Sequence, residues 1–155
     1  MKTLRLVVRR SLWVGVGAAA VLTAACAGMS NKGPTTLSGG QEVPAVTTNA
    51  SGITDISVSW FKCPSAMSSA NCPTVYGAVT TSGIAATAAH IHQGAAGQNG
   101  PVIVTLVKTD DNAWSVPAGT TLSDAQYAAY WAGQLYVNVH SDANKNGEIR
   151  ARLKP

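Results

Sequence analysis

From about residue 36 onward, short apolar runs alternate with clusters of Gly, Pro, Asn and Ser. Ile56, Val58 and Trp60 interleave with Asp55, Ser57 and Ser59, and this period of two predicts a half-buried strand. Thr74 to Thr81 reads as a second strand, ending at Ser82-Gly83. Ile84 to His92 and Val102 to Lys108 follow, separated by the turn formers Gly97-Gln98-Asn99-Gly100-Pro101. Leu135 to His140 and Glu148 to Lys154 make a last pair joined by SDANKNG. Leu37 to Val46 adds an edge strand, because Pro44 lacks the N–H that a central strand spends on its ladder. One helix, about 123–132, interrupts the series. Ser123 and Gln126 form a capping box, Leu122 and Tyr127 are spaced as a hydrophobic staple, and Gly133 is a stop. Tyr127, Tyr130 and Trp131 share one helix face, which is expected to pack on the sheet. The expected fold is all-β, a Greek-key-like sandwich or small barrel of about 6–8 antiparallel strands with one short helix.

The first 25 residues follow another pattern. Lys2, Arg5, Arg9 and Arg10 precede a 15-residue apolar run, Ser11 to Ala25. A membrane-spanning helix needs roughly 20 residues, so this order predicts a secretory signal peptide rather than a permanent span. Leu22-Thr23-Ala24-Ala25-Cys26 resembles a bacterial lipobox, with Thr23 where Leu is commonest. It implies cleavage before Cys26 and lipidation of that residue, and several acyl chains together anchor a protein stably. Ala27 follows the Cys, and by resemblance to sorted lipoproteins this implies the outer membrane, on its periplasmic or surface face. Residues 26–35 are small and polar, as a flexible tether is, and residues 36–155 form the domain.

Charge then changes meaning. The chain carries 11 Lys and Arg against 7 Asp and Glu, but the signal holds four of the cations. Without residues 1–25, seven basic groups face seven acidic ones, and the surplus that phosphate binding needs is gone. Nucleic acid is therefore excluded as a partner, and the lipid anchor makes the membrane one. The three cysteines sort in the same way. Lipidation accounts for Cys26, leaving Cys63 and Cys72 as an even pair in an oxidising compartment. A disulfide across that polar loop is expected to contribute about 2–3 kcal/mol. Metal ligation by the pair is the weaker alternative, since no His lies near in sequence.

Candidate chemistry lies with the histidines. His90 and His92 stand two apart on an expected strand, hence on one side of it, about 6.6–6.8 Å apart along the backbone. His140 sits near the end of another strand, and a third imidazole would complete a site suited to copper or zinc. The competing expectation is that all three simply hydrogen-bond to backbone. Glu148 and Arg150 alternate outward while Ile149, Ala151 and Leu153 alternate inward. Such a pair is commonly a solvated ion pair, and beside a metal it would handle an anion or steady the ligands. Asp142 to Gly147 imitates the start of a calcium loop, but position twelve is Leu153 where Glu is required, so calcium is not expected. Neither a Gly-x-Ser-x-Gly elbow nor a phosphate-binding loop occurs, and no catalytic residue is assigned.

Three segments carry a family resemblance: LSGGQEVPAVTTNASG (Leu37 to Gly52), AAHIHQGAAGQNGPVIVTL (Ala88 to Leu106) and GQLYVNVHSDANKNGEIRARL (Gly133 to Leu153). In order, they are similar to the E-V-P, H-I-H and Y-V-N-V-H…G-E-I-R signatures of the chordin-type, or CHRD, domain. The resemblance implies a β-sandwich module, found in growth-factor-binding animal chordins and in bacterial secreted proteins, without fixing a function. A fainter likeness to copper/zinc superoxide dismutase would make His90, His92 and His140 copper ligands and Arg150 an anion guide. The chain has no fourth His and no cluster for a zinc site. The leading expectation is a non-enzymatic, envelope-anchored lipoprotein binding copper or zinc through three histidines. The rivals are a protein- or envelope-interaction module with structural histidines, and a dismutase-like enzyme.

Overall fold

A computed structural model describes residues 33–63 and 70–155. The expected signal peptide, Cys26 and most of the tether lie outside the described residues, as does the middle of the Cys63–Cys72 loop. Eleven strands are described: β1 (Thr35–Ser38), β2 (Ser51–Thr54), β3 (Ser57–Lys62), β4 (Asn71–Tyr76), β5 (Ala78–Ser82), β6 (Ala86–Gln93), β7 (Val102–Thr105), β8 (Val107–Asp110), β9 (Ala113–Ser115), β10 (Leu135–Ser141) and β11 (Ile149–Arg152), with α1 (Asp124–Trp131) before β10. All pairs are antiparallel. Nine strands form one sheet in the order β7-β6-β10-β11-β1-β2-β5-β9-β8, and β3 and β4 pair separately.

The two ends of the large sheet are one stretch of chain. Only Leu106 separates β7 from β8; its side chain is buried and its N–H donates to the Ala89 carbonyl. Val102 to Thr105 pairs with β6, then the chain passes Leu106 and pairs with β9. The sheet thereby comes close to closing as a barrel. This explains why more strands appear than the expected 6–8: the predicted run Val102 to Lys108 serves both ends. Thr74 to Thr81 is likewise cut, at Gly77, whose φ of +113° suits glycine. Opposite it, Asp55 Oδ1 accepts from the Ala78 N–H at 2.7 Å, separating β2 from β3. Beyond this break β3 and β4 make an arm on which Trp60 is 48% exposed, not half-buried as its alternation predicts. The Cys63–Cys72 disulfide closes the arm.

The edge expectation for Leu37 to Val46 is corrected. β1 lies between β11 and β2, deep in the sheet, and ends at Ser38, so Pro44 falls in the following loop and never meets a ladder. The helix forms where its caps predict. Ser123 Oγ accepts from the Gln126 N–H, and the Gln126 side chain accepts from the Ser123 N–H. Tyr130 is buried and donates to the Lys154 carbonyl, whereas Trp131 faces solvent, so only part of the aromatic face packs inward. Among the described residues no helix is long and apolar enough to cross a membrane. The core includes Leu37, Val79, Ala89, Ile91, Leu135, Val137, Val139, Ile149, Ala151 and Leu153, all essentially without solvent contact.

Candidate metal centre

Three neighbouring strands position the site. Antiparallel register sets Tyr136 beside His92, Asn138 beside His90, and then Arg152 and Arg150 beside Tyr136 and Asn138. Directly opposed residues share a face. One face of β6, β10 and β11 is therefore apolar, and the other carries His90, His92, Tyr136, Asn138, His140, Arg150 and Arg152. Two loops roof that polar face, one running from Gly39 to Ala50 and the other from Gly94 to Gly100, through contacts such as Thr48 to Glu148 and Asn99 to Arg150.

The three histidines meet there. Their candidate ligand nitrogens all lie within 4.8 Å of one another. His92 Nδ1 is 2.9 Å from the Gly100 carbonyl, and His140 Nδ1 is 2.9 Å from the Lys145 carbonyl. A carbonyl only accepts, so each Nδ1 carries the proton and each Nε2 keeps its lone pair. His90 Nδ1 lies 2.9 Å from His140 Nε2 and donates to it in the neutral state. His92 Nε2 is buried and makes no hydrogen bond of ordinary length, with the Asn138 side chain near enough to favour its protonated form. All three rings are held below the ordinary imidazole value, chiefly by burial; for His90 and His140 the neighbouring histidines add to this, and for His92 the Arg150 charge does. Neutral imidazoles with aimed lone pairs are what a metal ion requires, and backbone carbonyls on the far nitrogens hold the rings in place. The bland expectation of backbone hydrogen bonding is thus met at His92 and His140 by the same bonds that aim the rings at a common point.

The surroundings explain the local sequence. At Gly100 a Cβ would fall 1.7 Å from the Gln93 carbonyl oxygen, so the loop that presents the Gly100 carbonyl to His92 turns only with glycine. The Gly100 N–H donates to the Tyr136 hydroxyl, and Asn99 Nδ2 donates to the Val43 carbonyl, tying one roof loop to the other. The calcium-like stretch is a turn that brings the Lys145 carbonyl to His140; Asp142 in it is exposed.

The expectation of an outward, solvated Glu148–Arg150 pair is corrected. Both are buried, 8% and 2% exposed, because the roof loops cover the face to which they alternate. Nor do they pair: among the described residues the ion pair is Lys108–Asp111. Glu148 accepts from Thr48 Oγ1 at 2.7 Å and from Ser141 Oγ. Burial pushes its carboxyl up, but the bonds from Ser141, Thr48 and Asn144 prevail and hold it below the usual range. Arg150 lies 3.3 Å from the Tyr136 ring centroid, and Tyr136 stacks on His92 with centroids 4.9 Å apart. The tyrosine ring thus contacts both the guanidinium and the His92 imidazole.

Glu42, Tyr136 and Asn138 belong to the site but were not singled out by sequence reasoning. Glu42 is buried, and its carboxyl is raised to about 7 because burial outweighs the pull of Arg150, the Val43 N–H and Asn138. Its Oε1 and Asn138 Oδ1 are buried without partners, beside Gly147. The available signal was their place in the E-V-P and Y-V-N-V-H signatures quoted above.

One family profile, described as CHRD domain, matches residues 34–153. No curated protein and no solved structure matches the chain at comparable stringency.

Proposed function

The chain belongs to the CHRD domain family, and on that footing we propose that it is a non-enzymatic, lipid-anchored protein of the bacterial envelope whose domain binds copper or zinc through His90, His92 and His140. The observation that carries the metal reading is the approach of three ligand nitrogens to within 4.8 Å, two of them oriented by carbonyls. His92 and His140 would bind through Nε2. His90 would bind through Nδ1, its proton moving to its own Nε2 and its hydrogen bond to His140 giving way to the metal. Three protein ligands leave a coordination position open. The anchor reading rests on the signal and lipobox pattern that ends at Cys26.

Metal analysis of the purified protein, followed by titration with copper and zinc ions, tests the site. One bound equivalent is expected, with affinity falling sharply in His92→Ala. Binding at about micromolar or weaker that ignores the substitution overturns it. Cys26→Ser is expected to release the protein from the membrane fraction. The loaded protein is expected not to consume superoxide.

A second reading, an interaction module, is favoured by one observation: Trp60, Phe61, Tyr76 and Trp131 are each 45–59% exposed on the arm and helix. It expects partner cross-linking that a chelator leaves unchanged and that Trp60→Ala and Trp131→Ala reduce.

A further inference from the structure

Next to the histidine cluster, the polar face ends in two guanidiniums without a counter-ion. Arg150 Nη1 donates to Asn99 Oδ1 at 3.0 Å and Nη2 to the Gln98 carbonyl at 2.8 Å. Arg152 Nη1 donates to the Gly94 and Gly133 carbonyls at 2.7 and 2.9 Å, and Nη2 to the Ala95 carbonyl at 2.9 Å. Every one of these acceptors is neutral. They aim the two side chains without neutralising them. Among the described residues no carboxylate lies within ion-pair distance of either; Glu42 acts on Arg150 only from farther away. Burying a cation unpaired is costly, and most buried charges have a partner. Two adjacent cations make that worse: burial, then the Arg150 charge, lowers the proton affinity of Arg152.

The two side chains line a cavity of about 170 Å³, together with Gln41, Ala96 and Gly97. A water needs only about 10–15 Å³ of such space, so a small polyatomic group fits. Each guanidinium has five N–H donors, and the bonds above leave three on Arg150 and two on Arg152. Side-by-side forks with unspent donors match the paired oxygens of a carboxylate or phosphate. We propose that this cavity is a binding site for a small oxyanion, a phosphate or carboxylate group held by Arg150 and Arg152. The bound group supplies the negative charge the face lacks. This site is independent of the metal reading. None of the imidazoles lines the cavity, and its ligands are the arginines.

The test uses purified protein stripped of metal with 1,10-phenanthroline, a neutral chelator without carboxylates, and then dialysed, which keeps the histidines metal-free. Sodium phosphate and sodium acetate are titrated in separate arms at constant ionic strength. The amide resonance of Gly97 and the Nε–H resonances of Arg150 and Arg152 are followed. A saturable shift of all three is expected in at least one arm. The stronger arm tells whether the natural ligand presents a phosphate, as a free ion or lipid headgroup does, or a carboxylate. Loss of one charge-assisted contact in Arg152→Gln is expected to weaken binding by about tenfold or more. Arg152 also ties loop carbonyls, so Ala96→Glu serves as a second variant: it places a carboxylate at the mouth, keeps both arginines, and is expected to abolish binding in a folded protein. Lys108→Gln, remote from the cavity, is expected to change nothing. Linear, unsaturable shifts in both arms, or equal affinity in wild type and folded Ala96→Glu, overturn the proposal.

Discussion

The two faces of β6, β10 and β11 are built from the same residues' neighbours, yet they solve opposite problems. One face, with Ala89, Ile91, Leu135, Val137, Val139, Ile149, Ala151 and Leu153, is an ordinary core. The other is nearly as dry but polar: Tyr136, Asn138, His140, Glu148 and Arg150 are all at most 9% exposed. Apolar burial stabilises the first by area. The second holds because most of its donors and acceptors find partners; those left over, the acceptors His92 Nε2, Glu42 Oε1 and Asn138 Oδ1 and the unspent guanidinium donors, lie where the candidate chemistry is found. Alternation tells which face a residue joins; it does not tell whether that face meets water.

The contrast can be broken from either side. On the apolar face, Ile91→Ala removes a side chain with no solvent contact and is expected to destabilise by about 3 kcal/mol, read from chemical denaturation. On the polar face, Gly147→Ala forces a Cβ to within 2.6 Å of both Asn138 Nδ2 and Glu42 Oε1 at a φ of +126°. A loss of about 2 kcal/mol is expected, with weaker metal binding because Asn138 shifts. Glu42→Gln is expected to do the reverse, and only at high pH. Its folded carboxyl titrates near 7 against an ordinary 4.5, so the folded state keeps a proton that the unfolded chain gives up. Stability from this group is full below about pH 4.5 and lost as pH rises through 7. The variant should therefore match wild type at pH 5 and exceed it by about 2 kcal/mol at pH 8. The histidines act with the opposite sign. Their folded values are depressed, so the unfolded chain takes up protons first and the metal-free protein loses stability as pH falls below about 6.5. His92→Ala should flatten that acid limb, the gentlest of these effects.

Much of this was legible where the cause is local. The Ser123–Gln126 capping box places the helix start because its bonds span three residues. The shared side of His90 and His92 follows from strand period alone. The convergence of His140 does not, since it depends on the pairing of β10 with β6, fifty residues apart in the chain. Short strands escaped for the same reason: β9 has three residues and β2 four, and only their neighbours make them strands. Glu148 and Arg150 were given the correct side and the wrong solvent, because two loops with no periodicity of their own supply the cover. Trp60 erred in the other direction, since the arm leaves the large sheet at Gly77 and takes its aromatic side chains with it.

The passage of the chain through Leu106 also bears on how the protein meets its neighbours. An open sheet offers a long row of unpaired amides and carbonyls to any neighbouring strand, which invites fibrous aggregation. Here each end of the nine-stranded sheet is half of one interrupted segment, so each free border is only four residues long. A chain folded this way is thereby spared a long sticky edge on its larger sheet.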